Sequence, residues 1–297
     1  MLSSIGLVKR LMVFVALLSI ACGAPQVHAQ GLSLSYTKGA IYMYKAHMTL
    51  DETIDLGAVK EPVTVDMTAT ETETVQSVDS TGIADISIKL TDVTVKTTVA
   101  GQVATTTTTV PTEDIKVGSD GRVLGINGLA FSGGSPFGAA GGGGTGSAIF
   151  PDGTVKPGDT WSKNYDQSNP LGSGSVHVTT TSRYLRDETI KGTQTAVVQT
   201  TINTPMDMTL DFSKFAQMTG SDMTLPITGL QGMAIKGTQV TDATTWLDAK
   251  GHRIVKSTMS SKIDASFSFV MAAGSTIPGL SGPFAIKGIQ TMDLTSA

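Results

Sequence analysis

Long stretches of the chain alternate apolar and polar residues one by one, the period of a strand with one buried face. From Val63 onward, Val63, Val65, Met67 and Ala69 are apolar while Thr64, Asp66, Thr68 and Thr70 are polar. In ADISIKLTDVTV the set Ala84, Ile86, Ile88, Leu90 keeps one parity, then slips to Val93 and Val95. A slip of one residue predicts a β-bulge, which bends a strand and increases its twist. Ala196, Val198, Ile202, Met206, Met208, Leu210 and Phe212 share a parity, with Thr200 and Thr204 filling the gaps. Val255, Met259, Ile263, Ala265, Phe267, Phe269 and Met271 do the same. Both runs exceed the usual strand of about 5–6 residues. Long strands with a single apolar face must curl around an interior. The predicted fold class is therefore mainly β: two related, strongly curved antiparallel sheet halves, half-barrel-like, with at most short helices. One such helix competes with strand parity in LDFSKFAQMTG, where Leu210 or Phe212, Phe215 and Met218 fall about a turn apart.

Turn chemistry sets the organisation. Ser119-Asp120-Gly121 and Asp248-Ala249-Lys250-Gly251 lie between strand-like runs, and glycine supplies the positive φ a hairpin needs. Gly82 and Gly192 mark two further turns. Lys38-Gly39-Ala40-Ile41-Tyr42 is echoed by Pro157-Gly158-Asp159-Thr160-Trp161, which suggests two diverged halves, 31–130 and 151–297. The join, 131–150, reads FSGGSPFGAAGGGGTGSAIF and is expected to be a flexible linker or flap. GLQGMAIKG (229–237) and GLSGPFAIKG (279–288) form a second echo. Each precedes a strand able to pair with the long run before it. Repeated hairpin construction explains this; a glycine-lined ligand mouth is the alternative.

The N-terminus adds a destination. Lys9 and Arg10 precede an apolar run, Leu11 to Ala21, too short for the ~20 residues of a spanning helix and suited to a secretory signal. Val27-His28-Ala29 offers cleavage after Ala29, making 1–29 a signal peptide; Ser19-Ile20-Ala21-Cys22 offers a lipobox-like alternative. Cys22 is the single cysteine, so it is either removed or becomes a lipid anchor that attaches the protein to a membrane. A cysteine-free exported chain points to a bacterial envelope: periplasm, cell surface or secreted. Without Lys9 and Arg10, 19 basic residues face 25 acidic ones, a net charge of −6. With no basic cluster, nucleic acid is excluded as a partner.

Candidate chemistry is thin. Gly141 to Gly146 satisfies G-x-G-x-x-G formally, but Ala148-Ile149-Phe150-Pro151 follows where a dinucleotide site needs a helix. His47, His177 and His252 have no metal-ligand spacing, so no metal and no cofactor is expected. No nucleophile elbow or catalytic motif is found, which argues against an enzyme. Carboxylate candidates are Asp51-Glu52, Glu71 with Glu73, and Asp187-Glu188; Glu71 and Glu73 share a strand face about 7 Å apart and could do paired-carboxylate work, although solvated charges are the simpler reading. Met206, Met208, Met218, Met223, Met233, Met259, Met271 and Met292 crowd the second half. Methionine fills irregular cores and also lines adaptable pockets. Met206, Met208, Phe212, Met259, Phe267 and Phe269 are the candidate ligand-binding residues.

Val155-Lys156-Pro157-Gly158-Asp159-Thr160-Trp161 and Thr245-Trp246-Leu247-Asp248-Ala249-Lys250-Gly251-His252-Arg253-Ile254-Val255 carry a resemblance. They resemble a broad group of exported bacterial proteins and, more distantly, the LolA/LppX-like lipoprotein-carrier superfamily. The second segment resembles that superfamily's hairpin, an aromatic-Leu-Asp strand turning through glycine into a long strand. The resemblance implies a curved antiparallel sheet, helices covering an apolar cavity, and lipid binding; this chain departs in having few helical segments and two sheet-forming halves. The expected function is a non-enzymatic binding module for an apolar or amphipathic, lipid-like ligand. A cell-surface structural or protein-interaction module is the alternative, favoured if no cavity exceeds about 300 Å³. A hydrolase would need His47 or His177 beside an acid within a cleft.

Overall fold

The computed structural model describes residues 29–55, 60–130, 148–169, 172–214, 229–275 and 283–297. The expected signal peptide up to residue 28 with Cys22, residues 131–147 of the join, Phe215, Met218, Met223 and Gly279 lie outside the described residues.

Nearly everything described is strand. The first half contains β1 (Gln30–Gly31), β2 (Ile41–Asp55), β3 (Lys60–Val78), β4 (Ala84–Val99), β5 (Gln102–Thr107), β6 (Glu113–Val117), β7 (Val123–Ile126) and β8 (Leu129–Ala130). The second contains β9 (Thr154–Val155), β10 (Thr160–Ser168), β11 (Gly172–Ser173), β12 (Ser175–Ile190), β13 (Thr193–Asp211), β14 (Leu230–Asp248), β15 (Ile254–Met271) and β16 (Phe284–Ser296). Apart from the small β1–β9 pair, all belong to one antiparallel sheet ordered β10-β12-β13-β14-β15-β16-β2-β3-β4-β6-β7-β8, with β11 on β13 and β5 on β4. The seam is β16 against β2, where Met292 faces Met48. The predicted pairings of β14 with β13 and of β16 with β15 are present.

The parity read from sequence sets which way each strand faces. Along β13, Ala196, Val198, Thr200, Thr204, Met208 and Leu210 are buried on one parity, and at the start of the strand Thr195 and Val197 are buried on the other as well. The expected bulge lies in β4: Asp92 takes φ 53°, the β3–β4 register shifts between Thr68 and Thr70, and burial passes from Ile86 and Ile88 to Val93. The turn glycines Gly39, Gly82, Gly121, Gly158 and Gly192 all have φ between 82° and 99°. The 248–251 turn differs from expectation. There His252 takes the left-handed conformation at φ 50°, and a Cβ at Gly251 would sit 2.5 Å from the Asp248 carboxylate. That carboxylate accepts the Lys250 and Gly251 amides. Strand β13 ends at Asp211 and a helical turn covers 212–214, so the two competing readings of this stretch meet at Phe212.

One end of the curved sheet is packed shut. Leu32, Leu34 and Phe150 fill it against Ile86, Val117, Tyr184, Val198 and Leu247, which come from strands of both halves. The plugging segments are tied in by backbone bonds from Leu34 to Ser119, Ser35 to His252 and Phe150 to Asp120. The outer edges of the sheet approach through side chains, without a ladder. Lys163 on β10 donates to Asp120 at 3.3 Å, Arg122 donates to the same carboxylate at 2.6 Å, and the Arg122 guanidinium lies over the Tyr165 ring. The sheet is thus a half-barrel pinned at one end. Asp120 and Lys163 side chains are only 14% and 16% exposed. Asp120→Ala should therefore cost about 2 kcal/mol, since it leaves Lys163 mostly buried with only the solvent-facing Asp152. A thermal melt unchanged by the substitution would show that the pin contributes nothing.

Candidate functional site

Beyond the plug, the concave face of β13, β14, β15, β16 and β2 lines a cavity of about 160 Å³. Its wall is made by Met206, Met208, Met233, Ile235, Phe267 and Ile286, with Leu50, Ile263 and Ala265 beside them. Ladder register explains the grouping. Met208 faces Ile235, which faces Phe267, which faces Phe284; Met206 faces Gly237, which faces Ala265, which faces Ile286. Side chains in such rows project from one pleat and touch across strands.

The repeated Ala-Ile-Lys-Gly is this wall. Ile235 and Ile286 point into the cavity, while Lys236 and Lys287 face the convex side and pair with Asp207 and Asp264 at 3.7 and 3.0 Å. Gly237 and Gly288 are inward positions where a Cβ would lie 2.3 Å from the Asp264 carbonyl oxygen and 2.5 Å from the Glu52 Cγ. Hairpin construction accounts for Gly229, which takes φ 83°. The later glycine of each copy lets strands and side chains come close around the cavity, so the echo builds more than corners.

The floor is polar and closed on itself. Gln239 donates to Ser261 at 2.7 Å, Ser261 lies 2.9 Å from Thr241, and Gln290 donates to the Met48 sulfur at 3.2 Å. Satisfied buried hydroxyls and amides hold rotamers in place. Below them runs a methionine row, in which Met259 faces Met292, Met292 faces Met48, and Met48 faces Met67. The methionine enrichment thus recruits two residues of the first half.

Of the candidate residues, Met206, Met208 and Phe267 line the cavity. Phe269 stands outside it, its ring 5.9 Å from Phe267 and 5.6 Å from Phe284 in an aromatic cluster beside the wall. Met259 is buried deeper with Ala243 and Met292, and Phe212 lies in the helical turn after β13. Sequence reasoning missed Leu50, Gln239, Ser261 and Gln290, and named Glu52 only with Asp51 as a candidate carboxylate, not as part of a ligand site. A signal existed for Glu52: it shares the parity of Tyr44, Ala46, Met48 and Leu50, a carboxylate on an otherwise inward strand face.

The carboxylates Glu71 and Glu73 require a correction. They are not solvated: they are 4% and 1% exposed on the concave side of β3. The curl of the sheet turns this parity inward, with Tyr44 facing Glu71 and Tyr42 facing Glu73 across the ladder. The two carboxyls share a hydrogen bond, and one oxygen of each has no partner. Burial pushes Glu71 up to about 7, and burial followed by the charge of Glu71 holds Glu73 well above the usual carboxylate range. Buried this deeply, the pair has no cleft in which to meet a glycoside.

His47 lies 3.1 Å from Asp66 and His177 lies 2.8 Å from Asp166, but all four side chains are about half exposed or more, on open strand surface. The distance a hydrolase needs is met, but on exposed strand surface. Among the described residues no cluster of three metal-ligating side chains occurs.

No protein-family model and no curated protein matches the chain. Solved structures similar to it include the hypothetical lipoprotein YmcC from Escherichia coli K12, at 12% identity over 96% of this chain and 97% of that one, with a TM-score of 0.28. Another is a candidate outer membrane lipoprotein-sorting protein domain from Vibrio parahaemolyticus, at 9% identity over 86% and 83% of the two chains, with a TM-score of 0.13. These neighbours are of the kind named by the sequence resemblance. At such scores they carry no functional weight.

Proposed function

We propose that the protein is an exported, non-enzymatic envelope module that binds the apolar part of an amphipathic, lipid-like ligand on its concave face. One observation supports this reading above the others: an apolar cavity at the unplugged part of the half-barrel, walled by Met206, Met208, Met233, Ile235, Phe267 and Ile286. Methionine and isoleucine walls over a hydrogen-bonded floor suit a chain end of variable shape. The volume limits what enters. A cavity of about 150 Å³ lined by Leu, Ile and Phe holds one benzene ring, so about 160 Å³ takes a ring or a short chain end, with the rest of the ligand outside. Export rests on Lys9, Arg10 and the apolar run after them, with cleavage after Ala29 or lipidation at Cys22 as its two forms.

The second reading, a cell-surface structural or protein-interaction module, draws on the same number. The cavity is smaller than the ~300 Å³ at which ligand pockets begin. Native mass spectrometry after gentle purification separates the two. A lipid-sized adduct, lost when Ala265 is replaced by Phe to fill the cavity, is the expected result for a binding module. Protein that is consistently bare across preparations would favour the interaction module.

A further inference from the structure

Among the described residues that line the cavity, Glu52 is the one ionisable side chain. It stands on β2 between Gly288 of β16 and Val63 of β3. Its Cγ occupies the space that a Cβ at position 288 would need, 2.5 Å away, so the carboxylate lies across a glycine at the cavity wall. Among the described residues it has neither a hydrogen bond nor an ion pair, and burial raises its pKa. Glu61, its diagonal neighbour through Ile54, turns an unpartnered buried oxygen to the same concave face. The lysines of the adjoining strands do not reach these groups. Lys287 pairs with Asp264 and Lys236 with Asp207 on the convex side, and Lys60 pairs with Asp55.

We propose that Glu52 makes the cavity selective for a ligand whose polar end is positively charged, a cationic amphiphile of the alkylammonium type. The inference rests on the cavity being an apolar binding site and adds the chemistry of the ligand's polar end. A carboxylate half removed from water with no counter-charge is held at a cost, which a bound cation relieves. An ammonium beside it gains a hydrogen bond between two opposite charges, a hydroxyl gains a hydrogen bond that leaves the carboxylate without a counter-charge, and a carboxylate or phosphate meets like charge. The geometry fits one molecule: an apolar group against Met206, Met208 and Phe267, and its cationic end at Glu52.

Hexylammonium, 1-hexanol and hexanoate, equal in chain length, make the test at pH 8. Binding is followed through the methyl signals of Met206, Met208 and Met233 in methyl-labelled protein. Hexylammonium should bind roughly tenfold more tightly than hexanol, with hexanoate the weakest. Glu52→Gln should bring hexylammonium to within about twofold of hexanol. Equal binding of all three probes, or an ammonium preference that survives Glu52→Gln, would overturn charge selection and leave the apolar site standing. Methyl signals unmoved by every probe would overturn the site itself.

Discussion

Stability should fall as pH rises from 5 to 8, and replacing both Glu71 and Glu73 by Gln should remove most of that fall. Both carboxyls have folded-state pKa values above their ordinary 4.5, Glu71 at about 7 and Glu73 well above that ordinary value. The folded protein therefore keeps protons that the unfolded chain releases. The resulting stability is complete below about pH 4.5 and is lost as pH climbs through the folded values. For Glu71 the separation corresponds to roughly 3 kcal/mol. Titration of the pair is shared, so the sum is less than two independent groups would give. Tyr36, Tyr42, Tyr44 and Glu113 surround the pair, and none supplies a positive charge to steady a second carboxylate. On the acid side the sign reverses. Asp85 and Asp248 are held below their usual range, Asp85 mainly by hydrogen bonds from Lys116 and Ser77 and Asp248 mainly by the Gly251 and Lys250 amides, so their contribution is lost as pH falls below about 4. Maximum stability is expected between these limits, near pH 4.5. Urea denaturation at pH 5, 6, 7 and 8 measures the slope. Wild-type stability that is constant or rising over this range would contradict a protonated buried pair.

Gly237→Val should be the most damaging single change near the cavity, at about 3 kcal/mol or more. Its Cβ would meet the Asp264 carbonyl oxygen at 2.3 Å and the Ala265 Cα at 2.5 Å. Both are backbone atoms of the neighbouring strand and cannot rotate away, so β14 and β15 must part. Overpacking a filled site costs about 1–3 kcal/mol, and a β-branched residue against backbone lies at or beyond the top of that range. At roughly 2–4 °C per kcal/mol for a chain of this size, the melting temperature should drop by about 10 °C. Gly39→Ala provides a contrast, because a Cβ there meets nothing within 4 Å and the cost is confined to a φ of 82°. If Gly237→Val melted no lower than Gly39→Ala, close strand approach at the cavity would be excluded.

Much of the fold was legible because β structure writes itself into parity. Side chains alternate faces at every residue, so Ala196 to Leu210 and Val255 to Met271 displayed their inward sets without any knowledge of partners, and the Leu90-to-Val93 slip displayed the bulge. The cavity was only half legible. Met206, Met208 and Phe267 lie on the parity that points inward, but parity does not say how far along the barrel a residue sits. Met259 and Phe269 have the same pattern and stand below and beside the cavity. Height depends on register between strands, and register joins β13, β14, β15 and β16 across hairpins of different length. Glu52 and Leu50 were further out of reach because they enter through the β16–β2 seam, which joins residues more than 200 positions apart.

The sequence by itself determined that this chain makes curved antiparallel strands with one oily side, where most of them turn, and that its N-terminus has the pattern of an export signal. These are local properties, fixed by alternation, glycine φ and a short apolar run. The tertiary structure alone decided that the halves share one sheet, that the Ala-Ile-Lys-Gly echo forms a wall, and that Glu71 and Glu73 are buried while His47 and His177 remain on the outside. Curvature and strand order select which parity of each ribbon becomes interior, and neither quantity is written in any short stretch of residues.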